Sequence, residues 1–364
     1  MRLDGKRRAL AYEAALILRA AGWEPDRVAA ALRRLGLLVP LSGPLEPTPL
    51  VKALYYHRAY ELALRLRERL GWGYKRVAAE VRRVLGVNVP PVTIRFWLNH
   101  GTRPNITPIR LLPELGYVVG VLMTDCTKSD HVRLRVRDRD FAEEFARALS
   151  DLTGKSYEVS NGEGGLYAVG LKGSALRYIA KSGLWKVVGL AWPIKFLQGL
   201  FDGDGGVAVY ASQRTMKLGV EVVLCNSDLG LLNFAKRLLE ELGIWCSAPQ
   251  RVDEEGEVTI ICGKRYVARR DCWVLRIKQR WSLKRFAALI DFRVERRRKL
   301  EDFIKITERY RSNKERVKAW LEKYEKRNGR WVPRPPLPGA PTYECHLFIT
   351  ARKLYFKGRG CARE

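Results

Sequence analysis

Two segments of the chain share one pattern, an apolar stretch with small residues four positions apart that ends in an aspartate. The segments LGYVVGVLMTDC (115–126) and KFLQGLFDGDGG (195–206) align Gly120 with Gly199 and Asp125 with Asp204. The apolar residues recur at helical spacing, and small residues four apart let two helix backbones approach closely. We therefore expect two helices that cross at these glycines, with Asp125 and Asp204 emerging together at one end.

The sequence that follows each of these helices has the same order of patterns. Strand-rich stretches come first, then an amphipathic helix with FARAL at 145–149 matching FAKRL at 234–238. Further strand-like and helical stretches follow, with Lys172 opposite Lys278. Because alternation with period two indicates strands and period 3.6 indicates helices, we predict an α+β fold. It comprises two pseudo-symmetric αββαββα halves in one monomer, preceded by an all-α N-terminal helical region.

The glycine-rich end of the second helix bears on metal binding. Gly205 and Gly206 predict left-handed conformations that stop the helix. Asp204 then lies at the negative end of the helix dipole, where a carboxylate is unfavourable by itself. Two adjacent carboxylates repel unless a cation lies between them, and ligation by oxygen alone suits Mg²⁺. A calcium loop is disfavoured, because Gln213 and Val207 stand where it requires glutamate and glycine.

The charge of the chain indicates a polyanionic partner. Lys and Arg total 67 against 39 Asp and Glu, which gives a net charge of +28. Such an imbalance costs self-repulsion and is typical of nucleic-acid-binding proteins. Apolar runs fall short of a membrane span, and the N-terminus lacks the features of a secretory signal, so we expect no membrane partner and a cytoplasmic location. The seven cysteines contain no C-x-x-C pair, so we expect reduced core residues.

The stretch HVRLRVRDRD (131–140) alternates apolar residues with arginines. Period two places Arg133, Arg135 and Arg137 on one face of a strand. A solvated edge strand is the alternative, but like charges side by side repel, and phosphates or guanines of double-stranded DNA explain them better. Four further basic residues are weaker candidates for DNA contacts: Lys172, Arg214, Lys217 and Lys278.

The first hundred residues contain a second duplication. GWEPDRVAAALRRLGLLVP (22–40) matches GWGYKRVAAEVRRVLGVNVP (71–90). Only the second copy continues into a short helix, so that residues 77–98 resemble a helix-turn-helix with Thr93, Arg95 and Asn99 available to DNA. A small helical bundle with a solvated basic face is the alternative.

The paired segments resemble the two motifs of single-chain LAGLIDADG homing endonucleases. Residues 199–205 match the motif strongly, and residues 120–126 match it with departures such as Cys126 in place of glycine. The resemblance implies that Asp125 and Asp204 are catalytic and bind Mg²⁺ or another divalent cation. It also implies that the sheet of each half forms a saddle over the DNA major groove.

The same resemblance implies a site-specific double-stranded DNA endonuclease encoded within an intron or intein. Family members often place a basic helper residue on a strand after each motif, where this chain has Arg137 in the first half and Asn226 or Ser227 in the second. Two alternatives stay open, a DNA-binding regulator that does not cleave and a maturase that binds intron RNA.

We divide the chain into four units suggested by these patterns. The expected units are a duplicated helical region (1–104), a first half (105–195), a second half (196–300) and a C-terminal extension (301–364). A long amphipathic helix is expected over 293–327, broken near Ser312, and a proline-rich linker over 332–341.

Overall fold

The computed structural model describes residues 2–37, 46–128, 131–261, 264–293, 296–327 and 330–334. Within these ranges the N-terminal region is entirely helical, as predicted. Its helices are α1 (Arg2–Ala20), α2 (Pro25–Arg34), α3 (Pro49–Leu70), α4 (Tyr74–Leu85) and α5 (Pro91–His100).

The two halves follow, joined by a connecting helix. The first half contains α6 (Pro113–Thr124), β1 (Thr127–Lys128), β2 (His131–Val136), α7 (Arg139–Thr153), β3 (Ser160–Gly162), β4 (Leu166–Lys172) and α8 (Ser174–Ser182). The connecting helix is α9 (Leu184–Ala191). The second half contains α10 (Pro193–Asp204), β5 (Gly205–Ser212), β6 (Lys217–Asn226), α11 (Leu229–Glu241), β7 (Gln250–Asp253), β8 (Val258–Ile261), β9 (Lys264–Val267), β10 (Cys272–Ile277) and α12 (Arg280–Leu289).

The sheets of the two halves have the same topology. The strand orders are β1-β2-β4-β3 and β5-β6-β10-β7, and every neighbouring pair is antiparallel. The second half adds a separate hairpin, β8–β9, between the two strands that complete its sheet. The prediction of a mixed fold with two αββαββα halves is confirmed.

Helices α6 and α10 cross at the predicted glycines. A Cβ atom added at Gly120 would overlap the carbonyl oxygen of Phe196 and lie 2.9 Å from the Leu200 nitrogen. One added at Gly199 would overlap the carbonyl oxygen of Tyr117. Any larger side chain at these two positions would therefore push the helices apart, which explains the small-residue pattern.

The helix end at Gly205 differs from the prediction. Gly205 has φ −86° and ψ 168°, which is extended backbone and not the left-handed conformation, and α10 continues through Asp204. A Cβ atom at Gly205 would overlap the carbonyl oxygen of Phe201 and lie 2.7 Å from its Cα. The glycine is required by this close approach, so the expectation of a left-handed turn is wrong here.

One apolar core runs through the N-terminal helices and both halves. It joins Ile17 of α1 and Leu50 of α3 with Leu122 of α6 and Phe201 of α10, all fully buried. A smaller cluster, with Val77 among its members, holds α3, α4 and α5 together. Helices α1 to α3 are thus built into the core of the two halves.

A buried carboxylate adds a polar link between the same regions. Glu13 of α1 accepts hydrogen bonds from the hydroxyls of Thr48 and Tyr178, the latter at 2.8 Å. Burial, ahead of any other cause, raises the pKa of Glu13. His57 of α3 bonds the carbonyl oxygen of Ile106 at 2.8 Å, next to the start of the first half.

The C-terminal region follows the second half as helices and a small hairpin. Its elements are α13 (Arg296–Arg309), α14 (Asn313–Lys323), β11 (Tyr324–Arg327) and β12 (Arg330–Pro333). The predicted break is confirmed, because Ser312 starts α14 with a capping box to Glu315. Residues 324–327 form a strand and not the end of a helix, which corrects the expected span. Only 332–334 of the predicted linker lie within the described residues.

Two sequence predictions about partners and cysteines can also be compared with the structure. In the described ranges, no helix is long and apolar enough to cross a membrane. Cys126, Cys225, Cys246 and Cys272 are reduced and buried, as expected. Cys262, Cys345 and Cys361 lie outside the described residues.

Candidate active site

The aspartate that follows α6 lies next to the last turn of α10. A Cβ atom added at Gly203, the residue before Asp204, would lie 3.3 Å from Oδ2 of Asp125. The carboxylate of Asp125 therefore approaches the last turn of α10. Asp125 and Asp204 are both half-buried, so each remains accessible from one side.

Asn226, at the end of β6, fixes the orientation of Asp204. Its Nδ2 donates to Oδ2 of Asp204 at 2.5 Å, while its Oδ1 accepts from the backbone N–H of Asp228 at 2.7 Å. Asp228 in turn caps α11 by accepting from the N–H of Leu231 at 3.0 Å. The amide is only 5% exposed, and its two bonds define which end faces the carboxylate.

The first half lacks this amide. Strand β2 ends at Val136 and β6 ends at Asn226, and in each half a helix begins three residues later. Val136 thus takes the place of Asn226, and Arg137 takes the place of Ser227. The sequence comparison set Arg137 against Asn226 or Ser227, and the strand ends show that Ser227 is the equivalent residue.

The predicted arginine strand has the expected alternation. Val132 and Leu134 are buried, while Arg133 and Arg135 are exposed on the other face. Arg137 is exposed but lies just beyond the end of β2. The register of β1 with β2 places Thr127, two residues after Asp125, opposite Arg133.

The four weaker basic candidates lie at three different places. Lys172 pairs with His131 across β4 and β2, so it lies at the edge of the arginine face. Arg214 lies in the exposed turn between β5 and β6, and Lys217 pairs with Ser212 beside that turn. The length of β5 separates that turn from Asp204 by roughly 25 Å. Lys278 forms an ion pair with Glu221, with 3.1 Å between Nζ and Oε1.

The second N-terminal unit consists of two helices joined by a short connection, and its resemblance to a helix-turn-helix stays a prediction. Helices α4 and α5 are joined by residues 86–90, and Ile94 and Trp97 are buried against α3 and α4. Arg95 and Asn99 are exposed, whereas Thr93 is half-buried. The geometry leaves these two side chains accessible; their contact with DNA stays a prediction.

Asp202, the first aspartate of the DGD motif, was not assigned a role from the sequence. It is fully buried and accepts hydrogen bonds from the hydroxyl of Tyr117 and from the backbone N–H of Arg293, both at 3.0 Å. Burial, followed by the charge of Asp202, raises the pKa of Tyr117 well above its usual value. The sequence did contain an indication of this position. Asp202 lies three residues after Gly199, which places it on the face of the helix that is turned toward α6.

The two terminal aspartates are suited to a hard divalent cation. In the described part of the chain, no group of three or more His, Cys, Asp or Glu side chains is arranged to hold a metal ion. Mg²⁺ does not require such a group, since proteins commonly bind it through one or two carboxylates together with water and substrate phosphates. Asp125 and Asp204 supply two carboxylates, at the end of two helices whose close approach the glycines enforce.

A family comparison covers the second half. Residues 191–291 match the family described as LAGLIDADG-like domain. The chain contains a LAGLIDADG-like domain. The match extends from just before α10 to just after α12, so it includes Asp204, Asn226 and the complete second sheet. The first half repeats the strand order of the LAGLIDADG-like domain, although it lies outside the matched residues.

Other proteins show more distant likenesses. An uncharacterised protein of Methanocaldococcus jannaschii is 25% identical over 244 residues, which covers 62% of this chain and 86% of that protein. A structure of mesophilic variants of the homing endonuclease I-DmoI is 17% identical, covers 49% of this chain and 95% of that chain, and has a TM-score of 0.35. The meganuclease I-SmaMI bound to uncleavable DNA is 9% identical, with coverages of 57% and 95% and a TM-score of 0.36. Likenesses at these TM-scores establish neither fold nor function by themselves.

Proposed function

We propose that this protein is a site-specific endonuclease that hydrolyses phosphodiester bonds of double-stranded DNA with a divalent cation, Mg²⁺ being the first candidate. The observation that carries the proposal is the approach of the Asp125 carboxylate to the last turn of α10, which ends at Asp204. Two carboxylates held together in this way on a chain of net charge +28 suit a cation and a phosphodiester.

Each residue of the site has a distinct task. Asp125 and Asp204 would hold the cation, and Asn226 keeps the carboxylate of Asp204 in one orientation through its 2.5 Å bond. When bound, the cation supplies activation of water and stabilisation of the leaving oxygen. Arg133 and Arg135 lie on the exposed face of the first sheet, where they would contact phosphates or guanines.

The remaining parts of the proposal concern partners and setting. One chain contains both halves, so we propose a monomer with an internal pseudo-two-fold axis. The exposed Arg95 and Asn99 of α5 would add contacts outside the cleavage site, as in helix-turn-helix proteins. Intron homing in the cytoplasm is the biological role that this activity suggests.

A specific observation favours one competing function. The first half has Val136 where the second has Asn226, so the first half has no amide at that strand end. A protein that binds DNA without cleaving it is consistent with that loss. Cleavage assays separate the two functions.

The decisive experiment incubates the full chain with a randomised duplex library and sequences the ends that appear. Cleavage at one recurrent sequence with Mg²⁺, and none with EDTA, would support the endonuclease. With Asp204→Asn, no cleaved DNA ends should appear. Asp151→Asn, which changes an exposed carboxylate of α7, should produce the same cleaved ends as the wild type. Recovery of a bound sequence without any cleavage would favour the regulator.

A further inference from the structure

The sheet faces that lie opposite the main core differ between the two halves at equivalent positions. Strands β2 and β6 occupy the same place in their sheets and end three residues before the next helix. Their equivalence sets His131, Arg133 and Arg135 of the first face against Glu221, Val223 and Cys225 of the second. The three positions on β2 therefore carry basic side chains, whereas the three equivalent positions on β6 carry one acidic and two apolar side chains.

Glu221 also engages the two cations of the second face. Its Oε2 lies 3.1 Å from Nη1 of Arg276, and its Oε1 lies 3.1 Å from Nζ of Lys278. The side chain of Glu221 is 14% exposed and that of Arg276 is 19% exposed, so both are largely withdrawn from solvent. Tyr210 on β5 completes the cluster, with a pKa raised by burial and then by the charge of Glu221.

A second part of this face is apolar. Val223, Cys225, Cys272 and Val274 form a small apolar cluster, separate from the main core, on the side of the sheet that carries Glu221. Burial, ahead of the charge of Asp204, raises the pKa of the Cys225 thiol to about 12, so it stays neutral.

The first face has the opposite character. Arg133 and Arg135 are exposed, and the residues paired with them on β4 are Gly170 and Ala168, which carry no charge. A Cβ atom at Gly170 would overlap the carbonyl oxygen of Val132 and lie 3.1 Å from the Cβ of Arg133, so a larger residue there would disturb the pairing of β4 with β2. Lys172 continues the basic row at the strand end.

We propose that the two halves contact DNA unequally, with most ionic contacts to phosphates made by the first sheet. Glu221 competes with phosphates for two cations of the second sheet, the largely buried Arg276 and Lys278, whose side chain is 57% exposed. The inference rests on the proposed function, because it concerns the same DNA-binding saddle. Each phosphate neutralised by a cation contributes about 0.9 to the slope of log affinity against log salt.

The test uses the full chain and the duplex recovered by selection from a randomised library in Ca²⁺. Phosphate ethylation interference on the wild type should map to one half of the site far more than to the other. Glu221→Gln, which keeps the shape of the side chain, should free two cations and steepen the salt slope by about 1 to 2. New interference should then appear in the weaker half.

Glu308→Gln is the matched control. Glu308 forms an ion pair with Lys284 at 2.5 Å between α13 and α12, so its replacement makes the same change in net charge and also frees a lysine. A salt slope that rises equally in both variants would overturn the inference, as would equal interference in the two half-sites of the wild type. Failure to recover any bound duplex would contradict the proposed function and this inference with it.

Discussion

The hydroxyl of Tyr117 on α6 donates a hydrogen bond to Oδ2 of Asp202 on α10 at 3.0 Å, where both side chains are fully buried. The other oxygen of Asp202 accepts from the backbone N–H of Arg293, which follows α12. The guanidinium of Arg293 pairs with Glu144 of α7, in the first half. These contacts connect the two halves beside the helix crossing, a few residues before the terminal aspartates.

The link between Tyr117 and Asp202 is expected to contribute measurably to stability. Tyr117→Phe removes one donor from a buried carboxylate and should lower the free energy of unfolding by about 1–3 kcal/mol. Chemical denaturation of both proteins measures the change. Tyr167→Phe, at a half-buried position of β4, is the control and should change stability less. Equal losses in the two variants would contradict a special contribution from the bond.

The terminal aspartates are expected to be required for cleavage and not for folding. Asp125→Asn or Asp204→Asn should abolish cleavage and leave duplex affinity nearly unchanged, because each removes one cation ligand. Thermal unfolding without divalent ions should show equal or greater stability, since replacing one carboxylate relieves repulsion. Full cleavage by Asp204→Asn would show that the site lies elsewhere.

Asn226 is expected to act through Asp204. Asn226→Ala removes the 2.5 Å bond and should raise the Mg²⁺ concentration needed for half-maximal cleavage by about 10- to 100-fold. Duplex affinity in Ca²⁺ should stay the same. Val136→Ala, at the equivalent place in the first half, is the control and should not shift the Mg²⁺ requirement. If Asn226→Ala lowers cleavage at every Mg²⁺ concentration and leaves the concentration for half-maximal cleavage unchanged, a positioning role is contradicted.

The exposed face of α5 is expected to contact DNA outside the cleavage site. Arg95→Ala should reduce affinity by about 1–3 kcal/mol if the arginine reads a guanine, and should leave the cleaved bonds unchanged. Arg65→Ala, which removes an exposed arginine from α3, is the control. Footprints of the two variants on the duplex would reveal the contact. If both variants bind the duplex with the affinity of the wild type, the helix-turn-helix resemblance reflects only the packing of these helices.

The sequence predicted the features that depend on local periodicity. The crossing helices, the arginine alternation of β2 and the succession of helices and strands along each half follow from small-residue spacing and from periods of 3.6 and 2. Features set by distant contacts were missed. Glu13 and Tyr178 are 165 residues apart, and no local pattern shows that α1 packs into the core of the halves. Likewise, nothing near Glu221 in the sequence indicates its pairing with Arg276 and Lys278.

The shared core leads to a prediction about the N-terminal region. Removal of residues 1–104 would expose the core residues that pack against Ile17 and Leu50. It would also remove Glu13, which accepts a hydrogen bond from Tyr178. We expect the truncated chain to lose cooperative unfolding or solubility, although the proposed boundary falls at 104. Circular dichroism during heating measures this outcome. A truncated chain that unfolds cooperatively near the wild-type temperature would show that the two halves fold independently.

Glu13 itself is expected to make stability depend on pH. Because burial raises the pKa of Glu13 in the folded chain above the usual value of 4.5, the folded state binds its proton more tightly than the unfolded state does. The stabilising contribution of the protonated group is therefore complete below about pH 4.5 and is lost as the pH rises through the folded pKa.

Glu13→Gln removes this titration and keeps an oxygen that can accept from Thr48 or Tyr178. The free energy of unfolding of the variant, relative to the wild type, should thus rise between pH 4.5 and neutral pH. Exposed Glu24→Gln serves as the control and should show no such trend. If the difference between Glu13→Gln and the wild type stays constant across that range, Glu13 has the same proton affinity in both states, and its burial does not influence its charge.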